Sequence, residues 1–150
     1  MQHELVERLK LLQTAAIDAR NGYREALEDA DGRGMTPLFR DMIALHDGNA
    51  DELGRELVKA GEQPEEEGSY MSLVHRTIMN VRSLFDGLDE SVLPGLIDGE
   101  KRNLTKYDDV LKYDSAPADI TSLLRVQRGK IEQKVAQMEA QKAASEHETS

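Results

Sequence analysis

Apolar residues recur at steps of three and four along four long segments and one short one, and this repeat restricts the fold of the chain more than any other feature. Because an α-helix turns once in about 3.6 residues, such spacing lines the apolar side chains along one side of a helix. In the first segment the line runs through Leu5, Leu9, Leu12 and Ala16. The pattern predicts an all-α chain in which each helix buries one face.

Glycine, proline and capping residues predict where these helices begin and end. The run 31–34, Asp-Gly-Arg-Gly, stops the first helix because glycine supports the left-handed turn that follows a helix. Thr36 is the expected N-cap of the second helix, with Pro37 as its first residue and Gly61 at its end. Pro117 opens the last helix. The predicted helices cover residues 2–30, 36–60, 70–86, 90–113 and 117 onward.

The connection between the second and third long helices is the longest in the chain. Residues 61–68, GEQPEEEG, are too acidic and too rich in helix breakers to be packed, and the short helix 70–86 follows them. A four-helix bundle with one long crossover has ferritin-like connectivity. We therefore expect an antiparallel ferritin-like four-helix bundle over residues 1–140 and a polar, frayed tail over 141–150. A plain five-helix array is the alternative.

Charge and composition argue against several classes of partner. Lys and Arg number 19 against 29 Asp and Glu, a formal charge of -10, so a nucleic acid would be repelled unless the basic residues formed a cluster. No apolar run approaches the roughly 20 residues that span a bilayer, and the first ten residues lack the apolar core of a signal peptide. The chain has no cysteine, which suits a reducing compartment. We expect a cytoplasmic protein that binds neither nucleic acid nor membrane.

Each long helix also carries a polar residue in the middle of its apolar face, and together these predict a polar layer in the core. The first helix contributes Arg20 or Asn21, and the second contributes His46, with Asn49 as a further candidate. A tyrosine on such a face usually buries its ring and finds one hydrogen-bond partner. The predicted layer consists of Asn21, Tyr23, His46, Glu100, Tyr107 and Gln127.

This layer invites comparison with the dimetal site of ferritin-like bundles. Such a site takes a Glu from each of two helices and a Glu-x-x-His pair from each of the other two. No histidine of the chain has a Glu three residues before it. The remaining ligands, Glu100 and His46, could hold one divalent ion such as iron, manganese or zinc, with Glu25, Glu28 or Asp18 joining them only if the first helix is rotated. The expectation is no catalytic residue and no cofactor.

A structural interpretation of the layer stands beside the metal-binding one. In it His46, Glu100 and Gln127 satisfy one another by hydrogen bonds and fix the register of the helices. His75 in the crossover helix could be a ligand or a proton carrier, although a lone histidine beside an apolar face is more often a packing or capping residue. The acidic run 65–67 is expected to be solvated.

Short motifs spread over nearly the whole chain carry a family resemblance. They are 21–26 (NGYREA), 38–40 (LFR), 73–76 (LVHR) with Met79-Asn80, Gly99-Glu100, Tyr107, and 117–119 (PAD) leading to Gln127. These motifs resemble a bacterial family of unknown function whose members are ferritin-like four-helix-bundle proteins. The segment in the crossover is the most specific of them.

The resemblance implies the ferritin-like fold, a bacterial source and a link to metal handling or stress, without a settled activity. This chain departs from the family pattern at two places. Ala44-Leu45-His46 stands where the second helix is often acidic, and Asn21 stands where an acid is common in the first. Both differences make metal binding less expected here than in relatives.

Two functions therefore stand as hypotheses. The first is a non-catalytic bundle that acts through its surface or by self-association in a stress response, as a homodimer paired along its long helices. The second is a metal-binding or redox bundle that stores or oxidises iron with Glu100 and His46.

Overall fold

The computed structural model describes residues 3–30, 34–63, 92–113 and 115–149. Within these ranges the chain forms four α-helices and no strand, as the apolar spacing predicts. The helices are α1 (His3–Ala30), α2 (Thr36–Lys59), α3 (Leu93–Leu111) and α4 (Ala118–Thr149). The predicted crossover helix 70–86, with His75, and the acidic run 65–67 lie outside the described residues.

The end of α2 lies at the predicted glycine. Gly61 has a φ of +88°, a left-handed conformation that glycine adopts without steric cost. Its N–H donates to the carbonyl of Val58 at 2.9 Å, and the N–H of Glu62 donates to the carbonyl of Leu57 at 3.0 Å. These two bonds form a Schellman motif, which satisfies carbonyl groups left open at the end of the helix. The prediction for Gly61 is confirmed.

The start of α2 differs from the prediction. Thr36 is already the first residue of the helix, and Met35, which occupies the N-cap position, makes no side-chain capping hydrogen bond. The expectation that Thr36 is the N-cap is therefore wrong. Met35 and Phe39 are fully buried, and the Met35 carbonyl accepts the Phe39 N–H at 3.0 Å. Apolar packing of these two side chains, rather than a hydroxyl cap, fixes where the helix begins.

Prolines mark the starts of the last two helices. α3 begins at Leu93, and Pro94 lies in its first turn, where the missing N–H removes no helical bond. α4 begins directly after Pro117 and continues without a break to Thr149. Residues 141–149 are thus helical and continuous with α4, while the division of the chain at residue 140 stays a prediction.

The main core takes residues from all four helices at the predicted steps. Burying one such side chain contributes about 1.5–3 kcal/mol. In α1 the buried face is wider than predicted, since Val6 and Ile17 also lie in it. In α4 the apolar residues that recur at steps of three, four and seven are all buried, and they are Ile120, Leu124, Ile131, Val135 and Met138.

A close contact between α1 and α2 depends on a glycine. A Cβ placed on Gly54 would lie 2.7 Å from Nε2 of Gln13, too near for an undisturbed contact. Gln13 is itself buried, and its Nε2 donates to the backbone carbonyl of Ala50 at 3.3 Å. The missing side chain at position 54 therefore gives the Gln13 amide the space in which it reaches α2.

Hydrogen bonds and ion pairs join four pairs of helices. α1 contacts α2 and α3, and α4 contacts the same two helices. The hydrogen bonds and ion pairs are Gln13–Ala50 and Arg20–Asp47 between α1 and α2, Arg8–Asp109 and Tyr23–Glu100 between α1 and α3, Asp41–Lys134 and Asn49–Gln127 between α2 and α4, and Lys101–Glu139 and Asp108–Arg128 between α3 and α4.

Among the described residues, no helix combines the length and apolar character needed to cross a membrane.

Candidate functional site

Polar side chains inside the bundle form two groups. The Glu100 group consists of Tyr23, His46, Glu100 and Asn103, and it joins α1, α2 and α3. The Gln127 group joins α2, α3 and α4. Glu100 and His46 are only 2% and 1% exposed, so any chemistry at this pair would take place away from bulk water. The members of the Gln127 group are Asn49, Glu52, Tyr107 and Gln127.

The Glu100 carboxylate accepts hydrogen bonds on both oxygens. The Tyr23 hydroxyl donates to Oε2 at 2.8 Å, and Nδ2 of Asn103 donates to Oε1 at 2.9 Å. Nε2 of His46 lies 2.9 Å from Oε2 and 3.1 Å from Oε1. An ionised carboxylate only accepts hydrogen bonds, so the proton of this bond is assigned to Nε2. One carboxylate thus joins donors from three helices.

Tyr23 is held between two rings and keeps its proton. Its ring lies stacked on the His46 imidazole, with ring centroids 5.9 Å apart and planes at 14°, and Phe39 lies at the same distance in a tilted arrangement. Burial first, and then the charge and hydrogen bond of Glu100, raise the pKa of Tyr23 well above its ordinary value. Tyr23 is therefore a phenol at neutral pH and a permanent donor to Glu100.

The pKa of Glu100 is lower than usual although the group is buried. Burial by itself disfavours the charged form and would raise the pKa. The charge and hydrogen bond of His46, and the hydrogen bonds of Asn103 and Tyr23, outweigh burial and lower the pKa. Glu100 is therefore ionised at neutral pH, a state unsuited to a general acid, which must hold a proton to give away.

The Gln127 group is built around a neutral amide. The Tyr107 hydroxyl donates to Oε1 of Gln127 at 2.7 Å, while Nε2 of Gln127 donates to the Asn49 carbonyl at 3.3 Å and to Oε1 of Glu52 at 3.2 Å. Burial first, and then the charges of Glu52 and Glu100, raise the pKa of Tyr107. Both ends of the Gln127 amide are used, and the carboxylate of this group lies at its half-buried edge.

Asn49 is the unsatisfied member of the Gln127 group. The residue is 1% exposed, and neither its Nδ2 nor its Oδ1 has a hydrogen-bond partner within the part of the chain that the structure describes. A buried polar group without a partner costs about 1–3 kcal/mol. The unpaired Asn49 side chain therefore destabilises the fold at the Gln127 group, whereas the fully bonded Glu100 carboxylate carries no such cost.

The residues that the sequence assigns to one polar layer are divided between the two groups. Tyr23 lies with His46 and Glu100, as expected. Gln127 bonds to Tyr107, Asn49 and Glu52 instead of joining His46 and Glu100, which differs from the expectation. The reason is axial position, because Tyr107 lies seven residues after Glu100 on α3, about 10 Å further along the helix.

Two predicted residues lie away from both groups. Asn21 is half-buried, and its Oδ1 accepts hydrogen bonds from Arg20, which also pairs with Asp47 at 3.0 Å. Glu25 is half-buried two residues after Tyr23. At about 100° per residue it projects from another side of α1 than the tyrosine does. The structure thus brings Glu100 and His46 together without Glu25.

Periodicity did not identify Asn103 or Glu52 as members of the site. Asn103 follows Glu100 by three residues, a spacing that places both on one side of a helix. Both residues lie at the edge of an apolar face rather than along its centre, and both are half-buried. The i, i+3 relation to a buried carboxylate is the signal that finds Asn103.

The donor set does not fit a ferritin-type dimetal centre. Such a centre takes several carboxylates and two histidines. In the described ranges no three His, Cys, Asp or Glu side chains are grouped so that they could hold a metal ion. The facing atoms of Glu100 and His46 are bonded to each other. A cavity of about 10 Å³ next to His46, Asn103 and Tyr107 has the size of one water molecule.

Comparison with known protein families identifies the family to which the chain belongs. The family Domain of unknown function (DUF2383) matches residues 4–113. The chain belongs to this family. The match covers α2, α3 and all of α1 except its first residue, and therefore the whole Glu100 group, whereas Gln127 on α4 lies beyond it. The predicted membership of a family of unknown function is confirmed. No curated protein and no solved structure matches this DUF2383 chain.

Proposed function

We propose that this DUF2383 protein is a non-catalytic helical bundle that acts by self-association through its surface, and that its polar layer serves the fold. One observation carries the structural role of the layer: both oxygens of the buried Glu100 carboxylate are bonded to donors of the same chain. The ionised state of Glu100 is unsuited to general acid catalysis. The adjoining cavity has no room for a substrate larger than water.

An antiparallel arrangement with ferritin-like connectivity is part of this proposal. In each contacting pair, residue numbers rise along one helix as they fall along the other; for example, Gln13 and Arg20 meet Ala50 and Asp47. α1 and α4 each run against both α2 and α3, so α2 and α3 point the same way and need a long crossover. A bacterial source and a role in stress rest on the family resemblance alone.

The polar layer gives the bundle a unique helix register. Sliding α2 by one turn against α3 would separate His46 from Glu100 and leave a buried carboxylate without one of its hydrogen-bond donors. Removing one partner of a buried pair costs roughly 3–5 kcal/mol, which is enough to select one alignment of the helices. Apolar side chains at repeated steps select an alignment less strictly, because leucine can replace leucine one turn away.

Metal binding is the second candidate, since an imidazole and a carboxylate already meet inside the bundle. The test is to load the protein with Fe²⁺, Mn²⁺ or Zn²⁺, remove the free ions and measure bound metal by mass spectrometry. Glu100→Gln keeps the shape of the site, and Glu132→Gln, on the exposed side of α4, is the matched control. We expect all three proteins to retain far less than one ion per chain.

The opposite result would be one bound ion per chain in the wild type and in Glu132→Gln, with none in Glu100→Gln. That result would contradict a purely structural role of the polar layer and support metal binding at Glu100.

A further inference from the structure

The outer side of α2, which faces away from the core, carries charges in a symmetric order. Ala44, Asp47, Asp51, Arg55 and Val58 lie on it, and all five are exposed. Steps of three and four residues place them along one line of the helix. Asp47 lies four residues before Asp51 and Arg55 four residues after it, while Ala44 and Val58 lie seven residues before and after.

This order is self-complementary under a twofold axis. When two copies of α2 pack antiparallel about an axis through Asp51, each residue meets the one equally far from Asp51 in the opposite direction. Asp47 then meets Arg55 of the partner subunit about 6 Å from the axis, and Ala44 meets Val58 of the partner subunit at about 10 Å. By symmetry each contact occurs twice.

We infer that this side of α2, centred on Asp51, is the surface through which two copies of the chain form a twofold-symmetric dimer. The inference rests on the proposed function and specifies the surface that self-association uses.

The shape of this face favours a second molecule. A groove of about 610 Å³ runs between α1 and α2, and Gly48, Asp51, Arg55 and Val58 are among the residues that line it. A Cβ on Gly48 would meet nothing within 4 Å, so packing inside the chain does not require a glycine there. A glycine inside a helix costs roughly 0.5–1 kcal/mol relative to alanine. The space over Gly48 is open to a side chain of another copy.

Charge also favours a copy of the same chain as the occupant. The chain carries a formal charge of -10, so two copies repel each other over most of their surfaces. In the groove the charges balance, because Arg20 pairs with Asp47 at 3.0 Å and Arg55 pairs with Asp51 at 2.5 Å. The two Asp51 carboxylates meet at the axis, and the Arg55 guanidinium of each chain reduces the repulsion between them. Contacts between Asp47 and Arg55 of the partner subunit add attraction that salt screens.

The symmetric position of Asp51 can be tested with one introduced cysteine, since the chain has none. Asp51→Cys places two thiols at the twofold axis, and mild oxidation is expected to convert the protein to a disulfide-linked dimer. Leu11→Cys is the matched control, because Leu11 is 64% exposed on α1 and does not line the groove. We expect the control to remain largely unlinked under the same conditions.

The contact between Asp47 and Arg55 can be tested by charge exchange. Asp47→Arg and Arg55→Asp each place like charges at both symmetric contacts, so each is expected to weaken its own dimer at least roughly tenfold, a change of about 1.4 kcal/mol. In an equimolar mixture opposite charges meet at both contacts, and a heterodimer is expected by light scattering after size-exclusion chromatography. Circular dichroism verifies that each variant stays helical, since both residues also pair within the chain.

Two outcomes separate the inference from the proposed function. Wild-type protein that is monomeric at every concentration measured would contradict self-association itself. A wild-type dimer in which Asp51→Cys links no faster than Leu11→Cys, and in which mixing the charge variants restores nothing, would leave self-association standing and show that another surface forms the dimer.

Discussion

The Glu100 group and the Gln127 group lie about two helical turns apart in one core and bury polar atoms in different ways. At Glu100, both carboxylate oxygens are bonded, by donors from three helices. At Gln127, the central amide is bonded while the Asn49 side chain has no partner among the described residues. The difference follows from cost, because an unpaired buried charge is far more expensive than an unpaired buried amide. A charged site in a core must therefore be complete.

Removing the centre of each group gives the largest effect and separates the two groups. Glu100→Leu leaves the donors of Tyr23, His46 and Asn103 without their acceptor, and we expect a loss of roughly 3–5 kcal/mol in the free energy of unfolding. Gln127→Leu, the matched change in the neutral group, should cost about 1–3 kcal/mol. Urea denaturation at pH 7 measures both. Equal losses would contradict the distinction between the groups.

Filling the unsatisfied position should act in the opposite direction. Asn49→Leu removes a buried amide without a partner and adds apolar surface to the core, so we expect a gain of about 1 kcal/mol in the free energy of unfolding. Asn103→Leu is the control, since it makes the same exchange but deletes a bond to Glu100 and should destabilise. Thermal unfolding of the two variants side by side distinguishes them. A loss in Asn49→Leu would mean that the amide has a stabilising role.

The smallest expected effect is the change in stability at acidic pH that the titration of Glu100 causes. The pKa of Glu100 is lower in the folded protein than in the unfolded chain, so its contribution to stability is complete above about pH 4.3, the ordinary value for a glutamate. That contribution is lost as the pH falls through the folded pKa, because the unfolded chain binds the proton first. Glu100→Gln cannot titrate, so the stability difference between wild type and this variant should shrink between pH 7 and pH 3. A difference that does not change with pH would mean that Glu100 is not ionised.

The sequence predicts the helices better than it predicts the polar contacts. Apolar periodicity gives the buried face of α4, and the backbone freedom of glycine gives the end of α2 at Gly61, because both depend on local geometry. Periodicity fixes the angle of a residue around its own helix but not its height relative to other helices. Gln127 is therefore correctly expected inside the bundle and assigned to the wrong neighbours. The start of α2 fails for a related reason, since burial of Met35 decides it over the capping tendency of Thr36.

The contact between Gly54 and Gln13 has a consequence for how the sequence can change over time. A side chain at position 54 would meet the Gln13 amide in its present place, so residue 13 would have to turn away from the Ala50 carbonyl or become shorter. Homologous chains should therefore show covariation between the two positions, with a long amide opposite glycine and a small residue such as serine opposite alanine. The two positions are thus expected to change together, although 40 positions separate them in the chain.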